Sequence, residues 1–142
     1  MLENLDRLCA EYGEKFAWEI ADAFGSKDKD KKAENLITKS LSVLQEQGVY
    51  AYVLFNESRG QSEKNAGNKM NELTKELLKD KLVLIGEGDI LQEIRKNEGL
   101  AADLEKLILA MQVLQQTLTY ARYHAKAMAP DNQQSDAEGG TS

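Results

Sequence analysis

Residue types that most often carry chemistry are scarce in this chain. There is one cysteine, Cys9, and one histidine, His124. A cysteine or serine nucleophile needs a base within hydrogen-bond reach, and Cys9 falls in a helical row of apolar residues that makes it a core side chain. One thiolate and one imidazole cannot complete a zinc site, and no Glu-x-x-His pair is present. Glu11 with Glu14, and Glu72 with Glu76, put two carboxylates on one helix face, a spacing that can hold a magnesium ion. Both pairs lie among lysines or other surface residues and read as solvated faces. Gly86-Glu87-Gly88 has the glycines of a phosphate loop, but no Lys-Ser or Lys-Thr follows and the two acids there repel phosphate. The expectation is no enzyme activity, no metal and no cofactor.

What remains is basic and aromatic. In Tyr120-Ala121-Arg122-Tyr123-His124-Ala125-Lys126-Ala127 the two cations Arg122 and Lys126 are four apart, so they project from one helix face about 5–6 Å from each other. Such a pair can touch neighbouring phosphates, or it can serve the negative end of the helix dipole. Lys75 and Lys79 repeat the spacing, and a solvated lysine face is the better reading of them.

These residues need helices to hold them, and the sequence supplies the pattern. Leu5, Leu8, Cys9, Tyr12, Phe16, Ile20 and Phe24 recur at spacings of three and four, which predicts a first helix from Leu2 to Phe24. Gly25-Ser26 ends it. Lys27-Asp28-Lys29-Asp30-Lys31-Lys32 reads as a charge-dense turn, either a mobile loop or a fraying helix start. A second helix is expected over residues 33 to 47. Gly48 follows in the position where a left-handed backbone closes a helix. A short third helix is expected over residues 49 to about 58; its residues 49 to 55 are apolar or aromatic on every face, so this segment is expected to be the most buried part of the chain.

Residues 59 to 68 are polar and aperiodic, with Gly60 and Gly67 weakening any helix. Met70, Leu73, Leu77 and Leu78 then mark a fourth helix. Leu82-Val83-Leu84-Ile85-Gly86 has strand composition but no partner strand, so it is expected to be a helix end and buried connector. Asp89 predicts the N-cap of a short helix through Lys96, closed by Asn97-Glu98-Gly99. The longest helix is expected over residues 100 to 128, its apolar stripe supplied by Leu104, Leu107, Ile108, Met111, Leu114, Leu118 and Tyr120 or Ala121.

The predicted class is all-α: one helical bundle of about five to six helices over residues 1 to 128 with a long C-terminal helix. Residues 129 to 142, with three acids and no base, are predicted to be a disordered acidic C-terminal tail. The formal net charge of −6 divides unevenly: residues 1 to 24 carry six acids and two bases, residues 25 to 81 nine and eleven. An acidic total argues against a free-standing nucleic-acid binder but leaves room for one basic face within an assembly. The single cysteine forms no internal disulfide, the first residues lack the basic and apolar regions of a secretory leader, and no apolar run approaches a bilayer span. A cytoplasmic protein with no membrane role is the expectation.

Residues 37 to 55, Ile-Thr-Lys-Ser-Leu-Ser-Val-Leu-Gln-Glu-Gln-Gly-Val-Tyr-Ala-Tyr-Val-Leu-Phe, resemble the small helical subunit of type III CRISPR-Cas effector complexes, Cmr-type members in particular. There too an apolar helix and a glycine turn lead into a short apolar helix, and a long final helix has a basic, aromatic end. The basic, aromatic run from Tyr120 to Lys126 matches that end, and Trp18 in Lys15-Phe16-Ala17-Trp18 matches an aromatic, alanine-rich first helix. The resemblance covers residues 5 to 127.

It implies a non-catalytic subunit stacked in several copies beside other subunits of the ribonucleoprotein. The backbone of guide RNA paired to target RNA would be contacted through Lys39, Lys75, Lys79, Arg122 and Lys126, with no base read. The acidic first helix departs from the more basic family members and suggests that this face meets a basic neighbour. The alternative is a helical scaffold or adaptor that mediates protein contacts without binding nucleic acid.

Overall fold

The computed structural model describes residues 2–96 and 98–129. Among them are six α-helices and no strand: α1 (Leu2–Phe24), α2 (Lys29–Gln47), α3 (Val49–Glu57), α4 (Lys64–Lys75), α5 (Ile90–Arg95) and α6 (Leu104–Met128). They form a single all-α domain with one continuous core, as the helix-forming composition and the 3.6-residue periodicity predict. The predicted acidic tail from Pro130 onward, and Asn97, lie outside the described residues.

α1 ends where predicted, at Gly25, whose φ of 63° no larger residue adopts cheaply. α2 starts earlier than expected. Its first turn begins at Lys29, inside the charged run, because Ala33 and Leu36 are already fully buried and require helix before them. Of the two readings of that run, a helix start is the one observed.

At Gly48 the backbone has φ 97° and ψ −177°. This is not the left-handed helical cap expected from the sequence but an extended conformation open essentially to glycine alone. Gly48 N–H donates to the Leu44 carbonyl and its own carbonyl accepts from Tyr52 N–H, both at 3.0 Å. One residue thus closes α2 and opens α3.

α3 is less buried than its composition predicts. Val49, Tyr52, Val53 and Asn56 face inward, whereas Leu54 is 48% exposed. Nine residues packed between α2, α4 and α5 cannot be covered on every side. The inward polar groups satisfy one another: Ser40 Oγ donates to Asn56 Oδ1 at 2.7 Å, Asn56 Nδ2 to Asn71 Oδ1 at 3.1 Å, and Asn71 Nδ2 to the Val53 carbonyl at 2.9 Å. Tyr52 OH and Thr74 Oγ1 lie 2.8 Å apart, and burial pushes the Tyr52 phenol up to about 12. Buried donors and acceptors are costly unless paired, so this chain of bonds sets the register of α2, α3 and α4.

α4 also begins before its apolar residues announce it. Gly67, which should weaken a helix, lies inside α4 because a Cβ there would collide with the Asn56 carbonyl and with the Arg59 side chain. Beyond Lys75 the helix widens into a π-turn, Glu76–Lys81, which buries both Leu77 and Leu78. The connector that follows is buried at Ile85, but Val83, at φ 53°, points outward at 75% exposure. Asp89 caps α5 as predicted, its Oδ2 accepting from Gln92 N–H at 3.3 Å.

The last helix begins at Leu104, after a short 3₁₀ turn at Leu100–Ala102, with Asp103 Oδ1 accepting from Lys106 N–H at 3.2 Å. Its inward stripe is Ala110, Val113, Leu114, Thr117, Leu118, Ala121 and Ala125. Leu114, Leu118 and Ala121 are where the sequence put them, but Leu104 and Ile108 are 69% and 47% exposed. In these first turns Leu107 and Leu109 pack against the core instead, while Leu104 and Ile108 face outward.

α1 packs parallel to α6, because contacts ascend together along both: Cys9 Sγ lies 3.6 Å from the Val113 carbonyl, and Gly13 meets Thr117, Tyr120 and Ala121. α1 runs antiparallel to α4, with Lys15 paired to Glu76 and Glu19 to Lys69.

Candidate nucleic-acid interface

The end of α6 presents its basic residues because its small residues are buried. Ala121 and Ala125 are fully enclosed, and helical geometry then directs Arg122, Tyr123 and Lys126 to the opposite side. Arg122 and Lys126 are exposed, and the Tyr123 ring between them is 62% exposed. Arg122 pairs with no acid among the described residues. His124 is half-buried on the same helix.

The other three predicted cations lie elsewhere, each bonded to a carboxylate or carbonyl of the chain. Lys39, on α2, pairs with Glu63 at 3.0 Å in a depression also lined by Phe24, Lys32 and Asn35. Lys75 and Lys79 converge on one residue of the connector. Lys75 Nζ donates to the Glu87 carbonyl at 3.1 Å, and Lys79 Nζ pairs with the Glu87 carboxylate at 2.9 Å and with Asp80 at 3.3 Å. Glu87 first and Asp80 second push the Lys79 ammonium above its usual value.

The depression beside these lysines is lined by Glu72, Glu76 and Asp80 as well, so its charge is mixed. The structure thus brings Arg122 and Lys126 together, and Lys75 with Lys79, while Lys39 stands apart on α2. Lys75 and Lys79 hold the connector that carries Glu87, the residue which in the sequence only argued against a phosphate loop.

Glu14 apart, the members of the two carboxylate pairs have basic partners. Glu76 accepts from Tyr12 OH at 2.8 Å and Lys15 Nζ at 2.7 Å, tying α1 to the π-turn that follows α4; Lys15 first, with Tyr12 also contributing, holds its carboxyl below the usual range. Glu11 pairs with Arg7. Glu93 accepts from the Gly86 N–H at 2.7 Å and from Lys96 at 2.8 Å, so the two-glycine loop holds a carboxylate of its own chain. Among the described residues no group of three or more His, Cys, Asp and Glu could hold a metal ion. Cys9 is buried, and burial raises its thiol. No described helix is long and apolar enough to cross a membrane.

One surface feature entered the reading of the sequence only through the family resemblance. Trp18 is 57% exposed on the outer side of α1. The signal was there: Phe16, Ala17 and Ile20 define the buried side of the helix, and position 18 falls opposite it. Comparison of the chain with family models, with curated proteins and with solved structures finds no match.

Proposed function

We propose that this chain is a non-catalytic helical subunit of a type III CRISPR-Cas effector complex, working in the cytoplasm in several copies and contacting the backbone of the guide–target RNA. The observation that carries the reading is the exposed Arg122–Tyr123–Lys126 end of α6, two cations one turn apart on a rigid helix. Cations held on a helix meet phosphates without reading bases, which suits a subunit that must accept any guide sequence. The corner at Gly48 and the length of α6 support the resemblance on which the assembly rests.

Arg122 and Lys126 are the principal contacts in this reading. Lys75, Lys79 and Lys39 join them only if Glu87 and Glu63 give way. Reversing the charge of Arg122 and Lys126 in the assembled complex should cost about tenfold or more in RNA association at low salt, with a shallower salt slope. Association unchanged across the salt series would remove the backbone-contact reading.

The pairing of Lys39 with Glu63 and of Lys79 with Glu87 and Asp80 favours a second reading. In it the chain is a helical adaptor whose charged and exposed apolar faces bind proteins, and RNA association is then insensitive to all five cations.

A further inference from the structure

Trp18 is the only tryptophan in the chain, and more than half of its surface is open to solvent. Tryptophan carries a large apolar surface whose exposure is costly, and in protein interfaces it is among the residues that contribute most on burial. Its neighbours on the helix face are Glu14, four residues before, and Asp22, four residues after, both exposed. Neither makes an ion pair among the described residues. Two other acids of α1 do so, Glu11 with Arg7 and Glu19 with Lys69, while Asp6 accepts from Tyr120 OH. The row Glu14–Trp18–Asp22 spans about 12 Å of one helix face, with an indole in the middle and an uncompensated carboxylate one turn away on each side.

We propose that this row is a docking surface for an arginine-bearing protein face. The charge selects the class of partner. Nucleic acid and anionic lipid are repelled by the two carboxylates, whereas a guanidinium is attracted by both components of the row. Its flat face stacks on an indole, and its fork of N–H donors matches a carboxylate. Lysine supplies the charge without the planar stacking or the fork, so the surface prefers arginine. This surface is independent of the RNA contact at the end of α6 and stands or falls separately.

Because Trp18 is the single tryptophan, its fluorescence reports occupancy directly. The probe is a synthetic helical peptide with two arginines eight positions apart and a leucine midway, alongside twins in which lysine or glutamate replaces arginine. On the intact chain the arginine peptide should shift Trp18 emission saturably to the blue and reduce its quenching by acrylamide. The lysine twin should bind several-fold more weakly and the glutamate twin not at all.

Glu14→Lys with Asp22→Lys should abolish the shift while leaving the far-ultraviolet circular dichroism unchanged, both positions being exposed. Emission unmoved through about 1 mM arginine peptide, or a shift that survives the double reversal, overturns the proposal. Association of RNA with the assembled complex, measured on the same double reversal, reads the other face: loss there would mean that the two faces are not independent.

Discussion

Two exposed aromatic rings, Trp18 on α1 and Tyr123 on α6, belong to helices packed along one seam, yet they sit in opposite charge. Trp18 lies between Glu14 and Asp22, while Tyr123 lies beside Arg122 and near Lys126. The rings offer similar apolar area, so the ring alone does not choose a partner. The charges around it do, by attraction at contact and by repulsion of the wrong class. The seam makes the contrast possible, because Gly13 lets α6 approach α1 closely and fixes which residues of each helix remain outside.

The largest effect should come from breaking that seam. A Cβ at Gly13 would stand 2.5 Å from the Tyr120 Cβ and 3.2 Å from the backbone of Ala121 and Thr117. Gly13→Val should therefore destabilise the domain by about 2–3 kcal/mol and disturb both faces at once. Thermal unfolding of the purified chain checks it, and an unchanged midpoint would mean that the helices can part without cost.

Gly48→Val should cost about 1–3 kcal/mol through backbone strain alone, since no atom lies within 4 Å of the added Cβ. Measured well below its melting temperature, this variant should keep both the Trp18 response and RNA association. Loss of either in a folded sample would show that the corner, and not only the seam, positions the faces.

A smaller effect separates the two faces. Reversal of Arg122 alone should weaken RNA association by about 1 kcal/mol or more at low salt, whereas Glu14→Lys with Asp22→Lys should leave it equal or stronger. Binding curves at two salt concentrations would decide this, and equal losses in both variants would erase the distinction.

The smallest is a pH effect on the inner side of α1. In the folded state the Glu76 carboxyl is held below its ordinary value, first by Lys15. Its stabilising contribution is therefore present above that value and is lost as pH falls through the lower, folded one. Glu76→Gln should flatten this part of the acid limb of stability without altering either exposed face. An identical acid limb in the two proteins would show that the Lys15–Glu76 contact adds nothing measurable.

Much of the frame was legible residue by residue. The spacing of Tyr12, Phe16 and Ile20 gave α1, Asp89 gave the start of α5, and Gly48 marked the corner, since each depends on local geometry. Exposure of the α6 cations follows from Ala121 and Ala125 in the same local way. Other positions misled for a shared reason. Gly67 looked like a helix weakener because its role is set by the Asn56 carbonyl on α3, and Leu104 and Ile108 looked like core because periodicity cannot say which apolar positions are covered. Lys75 and Lys79 looked free because Glu87 reaches them only after the chain turns at Val83.

By itself, then, the sequence determined the helical class, most of the helix boundaries and which side of each helix is apolar, because these follow from propensity and spacing within a few residues. Tertiary structure decided which apolar positions are covered, which lysines are already paired and which acids of α1 are left without a partner. Those outcomes depend on groups far apart in the chain, and their energies arise only when packing brings them within bonding distance.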